Sequence, residues 1–105
     1  MTWLSVAHFG IYKRTFAIPN GGNRSASEGA RFKREGVKAG VPDIFIAHPV
    51  SPYSGLFIEF KYGKNKPTES QLQMIKELSD AGYRCAVCYS ANDGMDCLRK
   101  YLNGI

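Results

Sequence analysis

VPDIFIAHPVSPYSGLFIEFK, residues 41 to 61, is the stretch from which the fold can be read. Pro42-Asp43 precedes an uninterrupted apolar run, Ile44 to Ala47, the pattern of a strand buried on both faces. Pro49, Ser51, Pro52, Ser54 and Gly55 gather into a turn. Leu56 to Tyr62, rich in aromatic and β-branched residues, reads as the returning strand. With Ala47 opposite Gly55, antiparallel pairing sets Asp43 opposite Glu59. Alternation then sends Glu59 and Lys61 to one face and Ile58 and Phe60 to the other. A slip of one residue would undo this match.

Two carboxylates and an ammonium group therefore meet at one end of a sheet. An unpaired Glu buried in an apolar strand costs, roughly, several kcal/mol, so something must compensate it. A hard divalent cation held by Asp43 and Glu59 is one solution; an ion pair of Lys61 with Glu59 or Asp43 is the other. An isolated E-x-K on a strand is common and mostly marks a solvated edge or an ion pair. Pro-Asp ahead of the preceding strand makes the combination more specific.

The 105 residues make one domain with a modest core. A hydrophobic content of 44% suits a soluble globule, and no apolar run approaches the roughly 18 residues of a membrane span. Met1 to Gly10 lacks the basic start and cleavage site of a signal peptide. A net charge of +5 and a pI near 9.2 favour a polyanionic partner. Three cysteines argue against a secreted disulfide framework and for a reducing cytoplasm.

Working outward from the hairpin, Ser25 and Glu28 form a capping box opening a helix through about Glu35, stopped by Gly36. Before it, Trp3, Leu4, Val6, Ala7 and Phe9 fit a short amphipathic helix whose end Gly10 weakens, and Thr15 to Ile18 a short strand closed by Pro19-Asn20-Gly21-Gly22. After the hairpin, Gly63 to Pro67 is an exposed basic loop with Lys64 and Lys66. Thr68 and Gln71 form a second capping box, opening a helix with Leu72, Ile75 and Leu78 on its apolar face and Gly82 as its stop. Arg84 to Tyr89 reads as a further strand, and Ser90 or Asn92 caps a last helix carrying Met95, Leu98 and Leu102. The strand–helix–strand passage from Leu56 to Tyr89 makes those two strands parallel. The expected fold class is α/β, a mixed β-sheet flanked by helices.

Other motifs have plainer readings. Cys85-x-x-Cys88 lies on a strand, where positions three apart face opposite ways, and neither Cys97 nor the isolated His8 and His48 completes a four-ligand zinc set at a suitable spacing. Core packing is the expectation for these thiols. Asn20 to Ser25, with Arg24, leads into a helix N-terminus able to hold a phosphate, although turn chemistry explains its glycines equally well. Lys33, Arg34 and Lys38 are phosphate-contact candidates or surface charges.

Pro42-Asp43 with Glu59-Phe60-Lys61 resembles the PD-(D/E)XK nuclease signature. A longer match runs from Lys33 through Gly40-Val41-Pro42-Asp43, Gly55 to Lys61, Gln71 and Ala81-Gly82-Tyr83. It resembles the virus-type replication-repair nuclease domain, VRR-NUC, over about residues 18 to 102. The resemblance implies a restriction-endonuclease-like sheet in a single domain, 1–105, and a metal-dependent deoxyribonuclease using Mg²⁺ or Mn²⁺. Asp43, Glu59 and the carbonyl of Phe60 would hold the metal. Lys61 would orient or deprotonate the attacking water and offset transition-state charge, and Gln71 would stand near the active site.

Related nucleases supply a further acidic residue from the first helix, whereas here no Asp or Glu precedes Glu28. Either Glu28 substitutes as a metal ligand or two carboxylates suffice. Arg24, Lys33, Arg34, Lys38, Lys64 and Lys66 are the DNA-binding candidates. Stand-alone domains of this family are similar to Holliday junction resolvases. That implies a homodimer that nicks branched DNA in DNA repair, four-way junctions above all; a cytoplasmic protein of phage or bacterial origin with no membrane association is expected. Trp3, Val6 and Phe9 serve as the interface or pack on the core. The alternatives are a non-catalytic DNA-binding module with a relic site and, more remotely, a thiol oxidoreductase using Cys85 and Cys88.

Overall fold

The computed structural model describes residues 9–19 and 38–104. The expected Ser25–Glu35 helix, the Asn20–Ser25 loop and most of the Trp3–Phe9 stripe lie outside them. Within them the chain forms α1 (Phe9–Tyr12), β1 (Thr15–Ala17), β2 (Ile44–Ile46), β3 (Leu56–Phe60), α2 (Glu69–Asp80), β4 (Arg84–Cys88) and α3 (Ala91–Leu102). The helical turn of α1 continues through Gly10 to Tyr12 instead of ending there.

The strands make one mixed sheet in the order β1-β2-β3-β4, with β1–β2 and β2–β3 antiparallel and β3–β4 parallel. β2 and β3 pair Ile44 with Ile58, Phe45 with Phe57 and Ile46 with Leu56, the register expected from the sequence. Continued by one residue, it brings Asp43 opposite Glu59. The parallel β3–β4 pair follows from α2 carrying the chain back to the starting edge.

β3 is buried on both faces, which is why its sequence is a continuous run and not an alternation. On one face Ile46, Leu56, Ile58 and Cys88 pack with Leu98 and Tyr101 of α3, and Phe60 joins from the strand end. On the other, Phe45 stacks on Phe57 with ring centroids 4.5 Å apart, and Tyr83 meets both rings edge-on at 5.9 and 5.4 Å. Glu59 shares this second face with Phe57, across which α2 runs. The Tyr101 hydroxyl donates to the His48 carbonyl at 2.6 Å, and an Arg14 guanidinium nitrogen lies 2.7 Å from His48 Nδ1.

Thr68 caps α2 with both halves of the expected box: its hydroxyl accepts from the Gln71 N–H, and its own N–H donates to Gln71 Oε1 at 2.8 Å. The stripe turned toward the sheet is Gln71, Met74, Ile75 and Leu78, whereas Leu72 is 54% exposed. With Gln71 turned inward, Leu72, about 100° further round the helix, is turned out. Gly82, at φ +100°, ends the helix as expected, with its N–H donating to the Ser79 carbonyl at 3.1 Å.

Gly40 sets the distance between α2 and the hairpin. Its φ is +85°, and a Cβ there would overlap the Ser70 carbonyl oxygen and stand 2.7 Å from its carbon. The overlapped atoms are backbone, so α2 itself would have to move. Gly40→Ala is therefore expected to cost about 2–4 kcal/mol, combining left-handed backbone strain with overpacking. Chemical denaturation checks this; wild-type stability in the variant would refute the tight seat of α2 on the Gly40 turn.

Candidate active site

Asp43 ends the turn leading into β2, and Glu59 is the fourth residue of β3. The Phe60 N–H donates to Asp43 Oδ2 at 2.8 Å, fixing that carboxylate against the neighbouring strand. Glu59 is only 4% exposed. Its Oε1 accepts from Gln71 Nε2 at 3.2 Å and lies 4.0 Å from Lys61 Nζ. Gln71 makes two contacts at once: its amide oxygen accepts in the cap of α2 and its amide nitrogen donates to Glu59. The opposite demands of the Thr68 N–H and the Glu59 carboxylate fix which way the amide faces.

Glu59 Oε2 is buried without a hydrogen-bond donor. Asp43 can satisfy it only when one of the two carboxyls carries a proton, because two ionised carboxylates have no donor between them. Burial, then the Asp43 charge, push the Glu59 pKa from 4.5 up to about 7; the Lys61 charge opposes them, and a hydrogen bond shared with Asp43 adds to the rise. The alternatives for compensating Glu59 are therefore not exclusive. Lys61 is close, but 4.0 Å is long for an ion pair and leaves Oε2 unanswered. A hard cation between the two carboxylates would answer it.

That donor set suits Mg²⁺ or Mn²⁺, which bind through one or two carboxylates and keep water or substrate oxygens as their other ligands. Among the described residues no group of three or more His, Cys, Asp or Glu side chains converges on one metal position. The pair would be supplemented by the Phe60 carbonyl, water and a phosphate.

The raised pKa gives a stability prediction. A carboxyl titrating higher in the folded than in the unfolded chain stabilises below the unfolded value, and that contribution is lost as pH rises through the folded one. Without divalent metal, the wild type should melt lower at pH 8 than at pH 5, and Glu59→Gln should lose less over that window, becoming the more stable form at pH 8. Thermal melts in EDTA test this; parallel pH profiles for the two proteins would contradict it.

Lys38, Lys64 and Lys66 are exposed, the last two in the loop after β3. Glu28, Arg24, Lys33 and Arg34 lie outside the described residues. Five residues assigned to strands by sequence stand beyond them: Ile18 after β1, Ala47 after β2 and, leading into the following turns, Lys61 and Tyr62 after β3 and Tyr89 after β4. Gly63, at φ +58°, marks the first turn, and Asp93 accepting from the Tyr89 N–H at 2.9 Å marks the second. The sequence signal for both was present, since each tyrosine borders a turn former.

Cys85 faces α2, its thiol 3.9 Å from the Ile75 carbonyl oxygen, whereas Cys88 faces α3, with Sγ 3.2 Å from Cys97 Sγ. The two thiols of the C-x-x-C thus point to opposite faces, as expected. Sequence analysis missed the approach of Cys88 to Cys97, which have no recognisable spacing. Burial, ahead of the contact with Cys97, pushes the Cys88 thiol up to about 12, so it is a protonated core side chain and neither a ready metal ligand nor a nucleophile.

A family model described as VRR-NUC domain matches residues 20–92. A solved structure described as a VRR_NUC domain protein is similar with a TM-score of 0.83 and 29% sequence identity, covering 97% of this chain and 80% of that one. No curated protein sequence matches the chain significantly. No helix among the described residues is long and apolar enough to cross a membrane.

Proposed function

Because the chain belongs to the VRR-NUC family, with its nuclease-type DNA processing, we propose that it is a metal-dependent DNA endonuclease cutting at the Asp43–Glu59–Lys61 site. The observation that carries this reading is the meeting of Asp43 and Glu59 across β2 and β3 around a buried carboxylate oxygen with no donor. Asp43, Glu59 and the Phe60 carbonyl would hold Mg²⁺ or Mn²⁺. When bound, the metal supplies phosphoryl polarisation, a more acidic water and stabilisation of the leaving oxygen.

The chain's own groups do the rest. The Phe60 N–H fixes the Asp43 carboxylate, and Gln71, anchored in its capping box, fixes that of Glu59. Lys61, its side chain 16% exposed, orients or deprotonates the attacking water and offsets charge developing on the phosphate. Lys38, Lys64 and Lys66 contact backbone phosphates and hold the strand without reading its sequence.

We further propose a homodimer acting on branched DNA, four-way junctions among them. One such site cuts one strand, and a two-fold dimer offers two equal sites to a two-fold symmetric junction. Phe9 on α1 and Phe16 on the edge strand β1 are 59% and 52% exposed, which supports an interface there. The test is a Mg²⁺ and Mn²⁺ titration against single-stranded, duplex and four-way-junction DNA, with light scattering for mass. Metal-dependent nicking, fastest on the junction, is expected. Binding without cutting would return the relic-site reading, equal rates would remove junction selectivity, and a monomer at micromolar concentration would remove the dimer.

A further inference from the structure

Two thiols that the nuclease chemistry does not use meet where β4 packs on α3. Cys88 Sγ lies 3.2 Å from Cys97 Sγ, and both cysteines are free. They differ in access. Cys88 is 0% exposed, whereas Cys97 is partly exposed and lines a cleft of about 180 Å³. Leu56 and Arg84, the first residues of β3 and β4, also line it, with Ala86, Lys100 and Tyr101. Arg84 and Lys100 are exposed cations, and among the described residues no carboxylate lines the cleft. Arg84 Nη1 is held by the Cys85 carbonyl at 2.8 Å. The Cys85 thiol itself faces α2, on the other side of the sheet.

We propose that Cys97 is a thiol-modification site for anionic low-molecular-weight disulfides, and that Cys88 resolves the adduct by closing a Cys88–Cys97 disulfide. The proposal stands independently of the nuclease reading. The Cys97 thiolate attacks one sulfur of the reagent, whose S–S bond breaks; one half leaves as a thiolate and the other stays on Cys97. Cys88 then loses its proton to solvent and attacks the Cys97 sulfur, and the second half leaves as a thiolate. Two protein thiols are oxidised and one disulfide is reduced to two thiols. Access fixes the order, because only Cys97 can meet a reagent from solution. Burial holds the Cys88 thiol up to about 12, so few of these groups are ionised, which slows the second step roughly thirtyfold once the greater nucleophilicity of its thiolate is counted. Two reacting groups held in contact gain an effective concentration of about 10⁵ M, which outweighs that loss. Arg84 and Lys100 select an anionic reagent over a cationic one.

The test treats the full chain, folded, with oxidised glutathione, then reads intact mass after denaturing and alkylating the remaining thiols. The wild type should lose two hydrogen atoms, keep no glutathionyl group and leave one cysteine to alkylate. Cleavage before Asp93 and Asp96 separates Cys88 from Cys97, so the two peptides should stay joined until reduced. Cys97→Ser should take up nothing, Cys88→Ala should retain one glutathionyl group, and Cys85→Ala should behave as wild type. Replacing both cations, Arg84→Gln with Lys100→Gln, should slow the reaction with oxidised glutathione at least about threefold and leave that with cystamine, a cationic disulfide, no slower.

A folded wild type that takes up no reagent, or that keeps its glutathionyl group without closing the disulfide, would overturn the proposal; neither result depends on a variant that must fold. So would a bridge that disappears in Cys85→Ala. Equal slowing of oxidised glutathione and cystamine by the double Gln variant would overturn selection of the reagent by charge.

Discussion

Asp43→Asn and Glu59→Gln are each expected to lower DNA cleavage at least about a hundredfold while leaving the fold intact. Both amides fit the space of the acids they replace. In Asp43→Asn the remaining side-chain oxygen can still accept from the Phe60 N–H, and in Glu59→Gln the remaining oxygen can still accept from Gln71 Nε2. The contacts that seat these side chains therefore survive. The lost element is negative charge, which is what a hard cation requires. In Glu59→Gln the new amide N–H also points a donor at Asp43, removing the orphaned oxygen that burdens the wild type. Loss of cutting together with gain of metal-free stability at pH 8 is the signature of a side chain retained for chemistry at a cost to folding. Rates measured over a Mg²⁺ and Mn²⁺ series, with melting curves beside them, decide it. Wild-type-like cutting by either variant would sink the proposed site.

Lys61→Ala is expected to be as damaging to cleavage, at least about a hundredfold, for a different reason. Its ammonium lies 4.0 Å from Glu59 and is the charge that opposes the rise in the Glu59 pKa. Removing it takes away the group proposed to handle the attacking water and also leaves Glu59 harder to ionise. The residual activity should therefore need a higher pH than the wild type. DNA affinity, in contrast, should change little, because phosphate contacts are spread over Lys38, Lys64, Lys66 and further basic residues, and it should still fall steeply with added salt. Binding isotherms in EDTA and single-turnover rates separate the two effects. An affinity loss as large as the rate loss would make Lys61 a binding residue and remove it from the chemistry.

What the sequence determined by itself was the hairpin and everything that follows from period and turn chemistry. The index of each residue fixes its face on a strand, so once Pro49 to Gly55 was read as the turn, the register, the facing of Asp43 and Glu59 and the side taken by Lys61 came with it. The capping box at Thr68 and Gln71, the stop at Gly82 and the parallel return of β4 are equally local, each a matter of a few neighbouring residues or of one short crossover. The structure gives each of them as read.

Only the tertiary structure decided how α2 lies on the sheet. Gln71 reaches Glu59 across 12 positions of sequence because the helix is seated tightly on Gly40, and no periodicity encodes that seat. The same placement turned Leu72 outward, although its hydrophobicity had assigned it inward. The thiols of Cys88 and Cys97 meet because β4 and α3 pack face to face. Sequence patterns report the environment of one element at a time, while contacts between elements depend on how several surfaces share the same space, which is settled only when all of them are packed.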